Sequence, residues 1–168
     1  MNHYIGIGLI KPKSPTNVGA IMRAAGCFQV NQVFYTGERY DRAVKFQTDT
    51  KLAQQSIPLK GVDSLLQHRP NNAQIICIEL VEGATSLPDF KHPNNAFYIF
   101  GPEDNSIPQD IIDQADAVVY IPTQGCMNLA ATVNVVLYDR MAKYVQRPEG
   151  DTLIRASRDR NNHLKIKP

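Results

Sequence analysis

The chain reads as an α/β protein built on an open, mostly parallel sheet covered by helices on both faces. Strand and helix segments alternate along the sequence, and the strands are apolar throughout rather than on every second residue, as expected of strands buried on both sides. Size agrees: 168 residues, 43% apolar and 20% charged, suit one compact domain with its own core.

The elements follow in order. "YIGIGLI" (Tyr4–Ile10) is short, apolar and β-branched, so it is a buried strand, and "KPKSPTN" after it is a loop ending in helix-capping residue types. "VGAIMRAAGCF" is a helix whose small-residue face is Ala20, Ile21, Ala24 and Ala25, closed by Gly26; "QVFYT" is the second strand. Between Asp41 and Arg69 the pattern is weaker, with helices expected near Thr50–Gln55 and at "DSLLQHR", where Asp63 is a candidate cap. "QIICIEL" (Gln74–Leu80), "AFYIF" (Ala96–Phe100) and "AVVYIP" (Ala117–Pro122) are three further strands, with "QDIIDQ" a short helix between the last two. From Asn128 to Gln146, Leu129, Val133, Val136, Leu137 and Tyr144 recur at helical spacing, which predicts an amphipathic helix.

Composition excludes several classes. Cys27, Cys77 and Cys126 stand about fifty residues apart, neither a disulfide framework nor a metal-ligand spacing, and His3, His68, His92 and His163 are equally scattered; no metal is expected. No stretch approaches the roughly twenty apolar residues that cross a bilayer, and "MNHYIGIGLIKPK" lacks the basic region and cleavage site of a secretory signal, so a cytoplasmic protein is the expectation. "GIG" at Gly6–Gly8 lies within a strand and lacks a third glycine, and no Gly-Lys-Ser/Thr loop occurs, which removes the dinucleotide and P-loop readings.

A net charge of +2 hides an asymmetry. Residues 140–168 carry eight basic residues against three acidic ones, while the rest of the chain is net acidic. The sequence therefore divides into a domain over residues 1–150 and a basic C-terminal tail over 151–168, polar and expected to be loosely ordered unless bound. A polyanion is one partner for such a run; a solvated, solubilising tail is the other reading.

Open parallel sheets bind ligands in crevices beyond the carboxyl ends of their strands. Three loops meet that description. "SPTNVGAIMRAA" places Asn17 at the helix entrance and Arg23 on a helix otherwise made of small and apolar residues, where a guanidinium calls for an anion or a carboxylate. "FGPEDNSIP" ends a strand in a rigid Gly101-Pro102 turn followed by Glu103 and Asp104, exposing main-chain groups or simply reversing the chain. "IPTQGCMNLAATV" leads through Gly125 into a helix with Asn128 at its start. Cys126 beside that helix start is either a packing residue or an activated thiol, although no histidine is near in sequence to serve as its base.

Together, "NVGAIMRAA", "FGPEDNSIP" and "IPTQGCMNLAATVNVVLYD" resemble, in order and spacing over roughly residues 4–147, the three motifs of the SpoU/TrmH family of RNA ribose 2′-O-methyltransferases in the SPOUT superfamily. The resemblance implies a C-terminal trefoil knot, S-adenosylmethionine bound in the knotted loops, and a homodimer with its active site at the subunit boundary. It implies catalytic positions at Asn17, Arg23, Glu103 and Asn128, and a cofactor lying against Leu80, Gly101, Ile121, Cys126, Met127 and Leu129. The substrate it implies is a ribose 2′-hydroxyl of tRNA or rRNA, with tRNA favoured because small relatives without a separate RNA-binding domain modify tRNA anticodon loops. RNA phosphates are then expected to meet Arg23 and, in the tail, Arg155, Arg158 and Arg160.

Two departures from the family pattern stand out. Cys126 occupies a position where the family usually has serine, and a thiol is a poorer hydrogen-bond donor. The loop from Pro122 to Asn128 is also about three residues shorter than in many relatives. The alternative to an enzyme is therefore a SPOUT-like RNA-binding protein without transfer activity, and a thiol-dependent hydrolase using Cys126 is a third reading.

Overall fold

The computed structural model describes residues 3–45, 57–70, 72–144 and 149–166. Its first half runs β1 (Tyr4–Leu9), α1 (Pro15–Cys27), β2 (Gln32–Tyr35), a short α2 (Arg39–Val44) and β3 (Leu59–Gly61). Its second half runs β4 (Gln74–Ile78), β5 (Thr85–Ser86), β6 (Asn95–Phe100), α3 (Gln109–Ile112), β7 (Ala117–Tyr120), α4 (Leu129–Lys143) and α5 (Gly150–Ser157). Among the described residues the strands form one sheet in the order β3-β2-β1-β6-β4-β7-β5, and every pairing is parallel.

The period-2 alternation of strands divides the core into two. Ala96, Tyr98 and Phe100 of β6 face the side covered by α1 and α4, where Ile7, Leu9, Ile21, Val133 and Leu137 are buried with them. Phe97 and Ile99 face the other side, packed with Phe34, Leu65, Cys77 and Ile107. The "GIG" run is explained here: a Cβ at Gly6 or Gly8 would stand 2.9 or 3.1 Å from the Phe97 ring, so these glycines make room for an aromatic side chain rather than for a nucleotide.

The expected α/β sheet is present, with differences that have physical causes. β3 and β5 are edge strands of three and two residues, too short to show a period. α1 begins at Pro15, capped by Ser14, whose side chain accepts from the Asn17 N–H; Asn17 therefore sits inside the first turn, not at the entrance. Ala20 is exposed and Val18 takes its place on the buried face. The Asp63 cap does not form: the segment makes only a 3-10 turn, Leu66–His68, with Leu65 at its start. The helix expected near Thr50–Gln55 and the last residues of the expected 128–146 helix lie outside the described residues. α5 was not expected, because eight residues of mixed polarity straddle the boundary placed at residue 150.

α4 is fastened to the sheet by a buried polar cluster. Arg140, 2% exposed, donates to the carbonyls of Pro93 (2.7 Å) and Asn94 (2.8 Å) and to the hydroxyls of Tyr98 (3.0 Å) and Tyr144 (2.8 Å). A guanidinium only donates, so the Tyr98 hydroxyl accepts from it and passes its own proton to His92 Nδ1 at 2.6 Å. His92 Nε2–H then donates to Asp139 at 2.9 Å, and Asp139 also receives Lys143 at 2.7 Å. Burial pushes the Tyr98 phenol up to about 12, against the pull of Arg140. The imidazole is held neutral: burial, aided by Arg140 and Lys143, lowers its pKa from 6.5 and outweighs Asp139.

That direction sets a pH dependence. With the folded pKa below the unfolded one, the unfolded chain binds the extra proton, so the His92 contribution is complete above pH 6.5 and is lost as pH falls below it. We expect unfolding free energy from urea titrations to decline as pH falls below 6.5, and the decline to be shallower in His92→Gln. Equal slopes in the two proteins would show that His92 does not carry the effect.

Candidate active site

The carboxyl ends of β1, β4, β6 and β7 lie side by side, so the loops that leave them meet at one edge of the sheet. Two adjoining clefts form there. The first, of about 360 Å³, has an apolar wall of Leu80, Ile121, Met127 and Leu129 and a floor at the Gly101-Pro102 turn. The second, about 380 Å³, is lined by Lys13, Ser14, Asn17 and Asn128. Glu103, Cys126, Met127 and Leu129 belong to both.

The polar groups between the clefts form a directed chain. Asn128 is the N-cap of α4: its Oδ1 accepts from the N–H groups of Ala130 (2.9 Å) and Ala131 (3.2 Å). That fixes its amide, so Nδ2 donates to Asn17 Oδ1 at 3.1 Å. Asn17 is fixed in turn, and its Nδ2 donates to Glu103 Oε1 at 3.1 Å. Glu103 also accepts from the backbone N–H groups of Ser14 (3.0 Å) and Lys13 (2.9 Å). Burial pushes the Glu103 carboxyl up, but the donors from Asn17, Lys13 and Ser14 together outweigh it and hold the group below its usual range. Glu103 is thus a fixed acceptor and a poor proton acceptor at neutral pH. Each of the two asparagine amides retains one N–H beyond the bond it makes within the chain.

The lip of the first cleft is held separately. Arg39 on α2 grips Asp104 through both guanidinium nitrogens, at 2.9 and 2.7 Å. This pair lowers the Asp104 carboxyl and had no signal in the sequence, because α2 itself was not anticipated.

Most of the residues singled out in the sequence gather at the clefts. Asn17, Glu103 and Asn128 converge, and Leu80, Gly101, Ile121, Cys126, Met127 and Leu129 all line the first cleft. Arg23 stands apart. It is exposed on α1, about 9 Å along the helix axis from Asn17, and neither Asn17 nor Glu103 holds it. Cys126 is an exposed free thiol. His92 is engaged with Tyr98 and Asp139 and His68 with the Ser64 carbonyl, and among the described residues no histidine lines either of the clefts that Cys126 borders. Of the tail cations, Arg155 and Arg160 are exposed and Arg158 is half-buried. Among the described residues no group of three His, Cys, Asp or Glu is placed to hold a metal ion, and no helix is long and apolar enough to cross a membrane.

A parallel α/β sheet with paired clefts beyond its strand ends, one apolar and one lined by amides and a carboxylate, defines a small-molecule site abutting a polar one. The comparisons with known proteins say which family builds it. The profile of the SpoU rRNA Methylase family matches residues 4–138, and the chain belongs to that family. The mouse tRNA (guanosine(18)-2′-O)-methyltransferase TARBP1 is 26% identical over 117 residues, a match spanning 66% of this chain and 7% of that protein. The SpoU methyltransferase AviRb from Streptomyces viridochromogenes, solved with AdoMet, superposes with a TM-score of 0.67 at 19% identity, over 88% of this chain and 61% of AviRb. A protein solved for insights into 2-OH methylation of C/U34 on tRNA gives 0.68 at 20% identity, covering 85% of this chain and 92% of the other.

The hydrogen-bond chain makes a prediction independent of any reaction. Asn128→Ala removes the cap and should lower stability by about 1 kcal/mol, whereas Asn128→Asp, which still accepts from α4, should stay within about 0.5 kcal/mol of the parent in urea denaturation. Aspartate cannot donate to Asn17, so the side-chain amide signals of Asn17 should shift in NMR spectra of Asn128→Asp. Unchanged Asn17 signals would contradict the chain as described.

Proposed function

We propose that the protein is an S-adenosylmethionine-dependent methyltransferase acting on a ribose 2′-hydroxyl of RNA, with tRNA the favoured substrate. The observation that carries this reading is the convergence of Asn17, Glu103 and Asn128 beside an apolar cleft, in a chain of the SpoU family. The cleft fits the cofactor. Its volume is that of a small-molecule site, Leu80 is an apolar side chain left 54% exposed on its lip, and the turns at Gly101 and Gly125 bring main chain to its surface. Leu80, Ile121 and Leu129 would flank the adenine, with Gly101, Cys126 and Met127 offering main-chain contacts. When bound, S-adenosylmethionine supplies a methyl group on a cationic sulfur.

The remaining steps belong to the chain. The ribose enters the second cleft, where the free N–H groups of Asn17 and Asn128 meet its oxygen. The asparagine amides would hold the 2′-oxygen toward the junction of the clefts, where the bound cofactor would supply its methyl group and keep the carbon–sulfur electron pair on sulfur, while the hydroxyl proton would leave to solvent. Catalysis of this kind is mostly positioning and charge stabilisation. Glu103 does not take the proton; it holds Asn17 and the Lys13-Ser14 loop in register. The intact chain of donors and acceptors favours a working enzyme over an inactive RNA-binding relative.

Arg23 completes the site from a second copy. In one chain it is exposed and is not among the donors that Glu103 receives. It lies on an outward stripe of α1 with Thr16, Ala20 and Cys27, and α4 beside it exposes Ala131, Val135 (37%) and Tyr138 (60%). We take this face as the homodimer interface, with Arg23 binding the phosphate next to the target ribose in the partner's cleft. The family's C-terminal knot is part of the same reading, supported by β4 lying between the later strands β6 and β7. Three free thiols support a reducing, cytoplasmic setting.

Calorimetry with S-adenosylmethionine followed by a methylation assay on bulk tRNA tests the proposal; failure to bind the cofactor would overturn it. Arg23→Ala and Asn128→Ala should each abolish transfer. Expressed together they should recover roughly a quarter of wild-type turnover, since half of randomly paired dimers then carry one intact site. No recovery would place Arg23 in its own subunit's chemistry or outside the reaction altogether.

The tail is proposed to add affinity for RNA through Arg155, Arg158 and Arg160. α5 presents Arg155 together with Leu153 and Ile154, and beyond it Leu164 and Ile166 are almost fully exposed. Deleting residues 151–168 should weaken RNA binding and flatten the dependence of log K on log salt, by about 0.7–0.9 for each phosphate no longer neutralised. An unchanged slope would leave the tail solvated.

A further inference from the structure

Three carboxylates line the first cleft, and two of them are engaged by side chains from other segments of the chain. Glu103 receives Asn17, Lys13 and Ser14, and Asp104 receives both arms of Arg39. Glu79, at the end of β4, differs. Among the described residues its Oε1 accepts from the Leu80 N–H alone, at 2.9 Å, and its Oε2 from the Ile107 N–H alone, at 3.0 Å, with no side-chain partner. A carboxylate offers about four acceptor positions, so one on each oxygen of this half-buried group remains open. The group sits between the two lips of the cleft, bonded to the loop after β4 on one side and to the loop after β6 on the other. Gly101 is a glycine for the same reason: a Cβ there would stand 3.2 Å from Glu79 Oε2 and 3.3 Å from Ile107.

We infer that Glu79 is a specificity residue of this site, its two open acceptor positions receiving the vicinal hydroxyls of the cofactor's ribose. The inference rests on the S-adenosylmethionine reading above. Within that ligand the adenine suits the apolar wall. The reacting end must lie where the two clefts join, at Glu103, Cys126 and Met127. The ribose links the two, and its pair of neighbouring O–H donors matches a pair of open acceptor sites. Glu79 is not among the residues at the junction, which separates it from the transferring methyl group.

The test is a binding cycle that needs no turnover. S-adenosylhomocysteine and its 2′-deoxy and 3′-deoxy forms are titrated into the full chain and into Glu79→Gln, with thermal unfolding of the ligand-free proteins as the control for folding. In the parent, removing a ribose hydroxyl should weaken binding about ten- to a hundredfold, as for a hydrogen bond to a charged acceptor. In Glu79→Gln the same removal should change affinity by less than about threefold, and Glu79→Asp, with its carboxylate drawn back by one methylene, should lose the same discrimination. If the deoxy forms lose as much affinity in the variants as in the parent, Glu79 only braces the turn and the inference is overturned. A larger loss for S-adenosylmethionine than for S-adenosylhomocysteine in Glu79→Gln would also overturn it, by assigning the carboxylate to the sulfonium charge. A parent that binds neither ligand would instead remove the cofactor reading itself.

Discussion

The site depends on the N-terminus of α4. A helix start leaves backbone N–H groups without partners, and Asn128 supplies an oxygen to two of them. Once that oxygen is committed, every later orientation follows: the Asn128 amide must donate, Asn17 must accept and then donate, and the next group must be an acceptor without a proton of its own. An ionised carboxylate satisfies that last condition, and Glu103 does so while also tying down the loop after β1. Hydrogen bonds that span 86 and 111 residues of sequence thereby join three segments, and their directions are not interchangeable.

This arrangement explains why the Glu103 carboxyl stays ionised. A carboxyl group that accepts three hydrogen bonds has its charged form stabilised, and that stabilisation exceeds the penalty of partial burial. The cluster around Arg140 shows the opposite balance. There the cation is fixed by carbonyls and phenols, and burial keeps His92 neutral beside Asp139, so polar groups fasten α4 to β6 without a titrating charge at neutral pH. One end of α4 orients the polar groups of the clefts and the other anchors the helix to the sheet.

Much of this was legible in the sequence because it lies in strand ends and in residues with few roles. Buried strands announced themselves by continuous apolar runs, and the loops expected after Ile10, Phe100 and Pro122 followed from the rule for parallel sheets. Asn17, Glu103 and Asn128 could be named from the family motifs, but not the order of donation among them, which depends on the cap. The edge strands Leu59–Gly61 and Thr85–Ser86 are too short to carry a period, and α2, with its Arg39–Asp104 clasp, arises where the pattern is weakest. Glu79 escaped notice because it follows an apolar strand with no motif around it; its role shows only when Leu80, Gly101 and Ile107 are seen to surround one carboxylate.

Position decides what the departure at Cys126 costs. The thiol lies in the wall shared by the two clefts, but no link of the Asn128–Asn17–Glu103 chain passes through it. Exchanging a hydroxyl for a thiol there removes a strong donor without disturbing the groups that orient the site. The shortened loop is spared for a related reason: Gly125, at a φ of 92°, turns the chain within the space that remains, and Thr123 closes the turn by donating to the Gly125 carbonyl at 3.0 Å. Both changes therefore bear on how a ligand is held at the junction of the clefts and leave untouched the interactions that bring the junction into being.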